Sequence, residues 1–134
     1  MGAWSSEPFG NDTACDWAYS LEEVDDLSLI RETLADVFEE DYLDADVAME
    51  AVAAIETLAK MQGKGTQQDS YTESVDQWVE SVSIKPDAVL LAQADKAIER
   101  ILADDSELKE LWEEGDEAGE WTITLRNLQA AMRG

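Results

Sequence analysis

The stretch DADVAMEAVAAIETLAKMQ, residues 44–62, decides the fold of this chain. Its apolar residues recur at three- and four-residue steps, the period of a helix face rather than the alternation of a strand. Ala48, Val52, Ile55, Leu58 and Ala59 fill one side of a helical wheel. Asp46, Glu50, Thr57 and Lys60 share a narrow polar face opposite. Asp44 can cap the start and Gly63 can end the helix, with Lys60 and Lys64 near the negative end of its dipole. The many alanines allow close approach of neighbours, which predicts the central helix of a bundle.

Working outward, the same period recurs on both sides. Ala14, Trp17, Ala18, Leu21 and Val24 form a first stripe after Asn11-Asp12-Thr13, where Thr13 and Asp16 could make a capping box. Leu27, Ile30, Leu34, Val37 and Phe38 form a second, with Asp26 or Ser28 as cap. Beyond GKGTQQDS, residues 63–70, Val75, Trp78, Val79 and Val82 point inward. Pro86 suits the first turn of the next helix, whose stripe is Ala88, Leu91, Ala92, Ile98, Ile101 and Leu102. Asp104-Asp105-Ser106 then break and recap the chain, leading to Leu108, Leu111 and Trp112; the last stripe is Trp121, Leu125, Leu128 and Met132. The expectation is a single all-α domain over 1–134, a bundle of six or seven helices. An irregular aromatic strap (1–11) and a flexible loop (63–72) complete it.

The strap carries Trp4 and Phe9 ahead of Trp17, rings large enough to need burial. Gly2-Ala3-Trp4, Phe9, Asn11-Asp12, Ala14, Asp16-Trp17 and Leu21 resemble the opening of a bacterial family, domain of unknown function 4259. Tyr42-Leu43-Asp44-Ala45, the Ala-rich stretch from Ala51 to Glu56, and Ser106-Glu107-Leu108 running into Leu111-Trp112 resemble it in the same order. Members commonly read Trp-Gly where this chain reads Trp4-Ser5. The resemblance implies a small bacterial cytosolic helical protein. It assigns Trp4, Phe9, Asn11, Asp12, Trp17, Glu56 and Trp112 no chemistry, and structural roles are expected for them.

Charge is the extreme property: 32 acidic residues against nine basic give a net charge of −23 over 134 residues. From Met1 to Ala59 there are sixteen carboxylates and one cation, Arg31. Such a field repels nucleic acid and anionic lipid and attracts basic proteins. No apolar run approaches the ~20 residues of a membrane span. The opening residues lack a basic-then-apolar signal pattern, and the lone Cys15 suits a reducing compartment. These readings lead to the expectation of a cytoplasmic protein that binds neither membrane nor nucleic acid.

With no histidine, His-based triads, general bases and metal ligands are excluded. Carboxylate clusters are the remaining ligand type, for a hard cation such as calcium or magnesium. Asp44-Ala45-Asp46 opens like a calcium loop, but Met49 stands where its glycine belongs, so no metal or cofactor is assigned. Glu56 lies at the margin of the central helix's apolar face, four residues before Lys60, and is expected to pair with it. Asp16 beside Cys15 opposes thiolate formation, so no nucleophile is assigned either.

Three functions remain open. The first is a non-enzymatic interaction protein whose acidic patch, Glu22, Glu23, Glu39, Glu40, Asp41 and Asp44, engages a basic partner. The second is a helical domain whose acidity is an adaptation to salt. The third is a carboxylate-only, metal-dependent enzyme, which no nucleotide loop, paired metal motif or nucleophile elbow supports.

Overall fold

The expected central helix forms as α3, Ala45–Met61, with twelve of its seventeen residues buried. Burial on nearly all sides marks a helix enclosed by others, and all six remaining helices pack against it. A computed structural model describes residues 5–133. Its other helices are α1 (Asp12–Leu21), α2 (Ser28–Asp36), α4 (Glu73–Val82), α5 (Ala88–Leu102), α6 (Glu107–Glu113) and α7 (Ala118–Arg133). The protein is thus an all-α bundle, and Leu43 and Ser106 form an isolated extended bridge.

Local chemistry accounts for the helix ends. Asp44 Oδ1 accepts from the Asp46 and Val47 N–H groups, satisfying donors that the first turn of α3 leaves open. Gly63, at φ +75°, takes the left-handed conformation that closes the helix. Asn11 caps α1 by accepting from the Ala14 N–H at 2.7 Å. Thr13 forms no capping box; its hydroxyl donates to Asp46 at the head of α3. Asp26 accepts from both the N–H and the hydroxyl of Ser28 ahead of α2.

Two helix faces differ from expectation. Asp87, not Pro86, starts α5: its carboxylate accepts the Leu90 N–H, so Pro86 stands just outside the helix. The buried stripe of α5 is Leu90, Ala94, Ala97, Ile98 and Ile101, while Ala88 and Ala92 face solvent. Leu90 sets that register because an exposed leucine forfeits more transfer free energy than an exposed alanine. On α3, Thr57 is fully buried instead of joining the polar face, and its hydroxyl donates to the Ala53 carbonyl. That local bond satisfies the hydroxyl and removes the cost of burying it. Phe38 lies past the end of α2 and is 46% exposed.

The core runs continuously from Phe9 to Met132, with Trp17, Trp78, Trp112 and Trp121 all buried in it. Trp17 Nε1 donates to Thr33 Oγ1 and Trp78 Nε1 to the Val24 carbonyl, so two buried rings keep their polar ends satisfied. Trp112 and Trp121 stack at 6.0 Å and tie α6 to α7. Residues 5–11 run as an irregular segment that puts Phe9 fully inside the core. Trp4 lies outside the described residues.

Candidate functional site

The buried carboxylate of Glu56 is the most constrained polar group in the bundle. α3 carries it at 0% exposure, facing the 63–72 segment. Glu56 Oε2 accepts from the Thr66 N–H at 2.9 Å and the Gln67 N–H at 2.8 Å, and Oε1 accepts from the Thr66 hydroxyl at 2.8 Å. Lys60, one turn on, brings its ammonium to 3.8 Å, the expected pairing, though the shorter bonds all come from the loop. Burial nonetheless pushes the Glu56 carboxyl above its ordinary 4.5, against the opposing pull of those donors and of Lys60.

Lys60 extends the network to α4. Its side chain, 7% exposed, contacts Asp76 at 2.7 Å and donates to the Gln67 carbonyl. Asp76 also accepts from the Thr72 hydroxyl at 2.9 Å. Gln67 turns the other way: its Oε1 accepts the Phe9 N–H at 2.8 Å and its Nε2 donates to Asp69. The central helix, the loop, α4 and the strap therefore meet around one carboxylate. Gly65 is required there, because a Cβ would lie 2.6 Å from Lys60 Cγ. Such a network orders and orients; every oxygen of Glu56 is engaged by a donor, which leaves no lone acceptor aimed at a reacting atom.

The acidic candidates occupy other places. Glu22 and Glu23 are exposed at the end of α1, and Glu39, Glu40 and Asp41 are exposed between α2 and α3. Asp44 is exposed too, but its carboxylate serves as the α3 cap. Arg100 of α5 holds the backbone beneath this turn. Its guanidinium donates to the carbonyls of Glu40 (3.3 Å), Asp41 (3.0 Å), Asp104 (3.3 Å) and Asp105 (3.1 Å). Leu43 adds two backbone bonds, to the Asp105 carbonyl and from the Glu107 N–H. Tyr42 donates to Glu110, which pushes its phenol up to about 12. The acidic turn is thus fixed in backbone while its carboxylates stay in solvent.

The remaining candidates act locally. Asp12 lies in the first turn of α1, on the favourable side of its dipole. Burial raises the Cys15 thiol, and Asp12, Asp16 and Asp69 raise it further, the opposite of an activated nucleophile. Glu50 on α3 is pushed above its usual value by burial and then by Asp36, Asp46 and Asp44, which registers mutual repulsion where α2 meets α3. Sequence reasoning passed over Thr66, Gln67 and Arg100. Thr66 and Gln67 bind Glu56 chiefly through backbone N–H groups that residue type does not announce, although the Thr66 hydroxyl and the Gln67 amide take part as well, and Arg100 reads only as one cation on a helix.

Residues 2–124 match the family described as a domain of unknown function, DUF4259. No curated protein and no solved structure matches the chain. With the match spanning nearly its whole length, the chain belongs to the DUF4259 family.

Proposed function

We propose that this DUF4259 protein is a non-enzymatic interaction protein whose acidic surface engages a basic protein partner. The carrying observation is the lack of internal compensation over residues 1–59. Among the described residues, Glu56 is the one of those sixteen carboxylates in an ion pair, and it is buried. Arg31, the one cation of that stretch, reaches across to Asp87. The carboxylates of Glu22, Glu23, Glu39, Glu40, Asp41 and Asp44 consequently face solvent with no cation paired to them among the described residues. A one-signed surface accelerates encounter with an oppositely charged protein, and the gain falls with salt. The fixed backbone of the 39–41 turn adds pre-organisation, which lowers the ordering cost of binding.

The test is affinity capture from host lysate at low and physiological salt, followed by association kinetics with any specific basic protein recovered. Substituting Glu39→Gln, Glu40→Gln, Asp41→Asn and Asp44→Asn keeps the α3 cap, since asparagine also caps. This variant is expected to slow association and leave the fold intact. DNA and RNA are expected not to bind. Recovery of generic basic proteins only, all released together by modest salt, would favour the second reading, acidity as salt adaptation.

A further inference from the structure

A cleft of about 340 Å³ opens where the end of α5, α6 and the start of α7 meet. Its volume falls in the range of small-molecule sites. Leu102 and Trp121 give it apolar walls, Lys109 and Arg126 bring two cations, and Glu113 is its one lining carboxylate. That balance reverses the rest of the chain, in which acidic residues outnumber basic ones 32 to nine. We infer that this cleft binds a small organic anion, a carboxylate or sulfonate carried on an aromatic or branched apolar body.

The two cations are available to such a ligand. Among the described residues Lys109 is paired with Asp104 alone, at 3.5 Å, and that carboxylate is 99% exposed, so the pair is weak and readily exchanged. Arg126 bonds Glu99 at 2.7 Å and Gln129 at 2.8 Å, both through Nη1. Its Nη2 and Nε donors make no bond to the described residues and can present two N–H groups to a ligand's oxygens. The four-residue turn 114–117 joins α6 to α7, and their packing puts Lys109, Glu113 and Arg126 on one lining. The cleft therefore sets two cations, each shared with one exposed carboxylate, beside the apolar wall of Leu102 and Trp121. Gly119 lines the cleft, and a Cβ there would enter open space, with nothing within 4 Å.

The inference is independent of the acidic face, and the probe differs in sign from the partner proposed above. Titrate the full chain with 8-anilinonaphthalene-1-sulfonate at physiological salt, following probe emission. The net charge of −23 opposes loose adsorption of this anion, so saturable one-site binding is expected only from a local site. The variant Lys109→Gln/Arg126→Gln should weaken binding by about tenfold or more. Gly119→Leu, which puts a branched side chain into the lining and favours the helix, should abolish it. Uncharged N-phenyl-1-naphthylamine should be blocked by Gly119→Leu and be indifferent to the charge variant. Circular dichroism and melting of each variant keep loss of fold separate from loss of site. Absence of saturable binding to the parent, or equal affinity in a folded Gly119→Leu variant, overturns the inference.

Discussion

Gln67 donates its backbone N–H to Glu56 Oε2 at 2.8 Å, so an eleven-residue span of chain closes on one buried carboxylate. Replacing Glu56 by Ala removes the acceptor for the Thr66 and Gln67 N–H groups and the Thr66 hydroxyl, and leaves Lys60 without its buried neighbour. The expected loss is about 3–5 kcal/mol. Glu56→Gln preserves volume and one acceptor oxygen and should cost about 1–3 kcal/mol. Urea denaturation measures both. Equal, small losses would show that the loop holds without the carboxylate.

The same group carries a pH signature. Burial raises the folded carboxyl above 4.5, its ordinary value, so the folded state binds this proton more tightly than the unfolded state. Glu56 therefore favours the fold most at low pH, and the benefit declines as pH rises through the raised folded value. The stability difference between the parent and Glu56→Gln should shrink over that window, as measured by melts from about pH 4 to about pH 7. A difference that grows with pH would mean the four donors outweigh desolvation.

The strap is held by the same network, since Gln67 Oε1 accepts the Phe9 N–H and the Phe9 ring is fully buried. Phe9→Ala should cost about 3–5 kcal/mol through the cavity it leaves. Gln67→Ala should cost about 1–3 kcal/mol by orphaning that N–H. Because each change releases the same segment, the double variant should lose less than the sum, by at least about 0.5 kcal/mol. Strict additivity in equilibrium unfolding would separate the ring from the loop.

Arg100 supports the acidic turn by donating to four carbonyls, those of Glu40, Asp41, Asp104 and Asp105. Arg100→Ala should cost about 1–3 kcal/mol. It should also increase amide exchange locally at Leu43, whose N–H donates to Asp105. Unchanged exchange at Leu43 would leave the backbone bridge as the sole support.

Legibility in the sequence followed how each residue reports its surroundings. Residues 44–62 were readable because long apolar periodicity coincides with an Asp cap and a closing Gly, so three signals agree. On α5 a stripe through Ala88, Leu91 and Ala92 leaves out Leu90, the residue the helix buries; alanine constrains burial least, so Ala88 and Ala92 are poor guides to its face. Thr57 read as polar because a hydroxyl that bonds its own helix carbonyl looks identical in sequence to one in water. Glu56 stood out as a carboxylate near an apolar face. Its main partners did not, being backbone N–H groups of a Gly- and Gln-rich loop that every residue type possesses. The cleft between α5, α6 and α7 puts Lys109 and Arg126, seventeen residues apart in sequence, on one lining, which only the packing brings about.

Repulsion among the unpaired carboxylates gives the last expectation. Glu50 is held above its usual value by burial and by Asp36, Asp46 and Asp44, so its ionised form opposes the fold at neutral pH. Raising monovalent salt shortens the screening length from about 30 Å at about 0.01 M to about 8 Å at about 0.15 M. The melting temperature should rise on the order of 5 °C over that range. Glu50→Gln should raise it at low salt as well, and its advantage should diminish as salt increases, because screening and neutralisation relieve the same repulsion. A salt-independent gain would assign the shift to burial alone, with Asp36, Asp44 and Asp46 too well solvated to contribute.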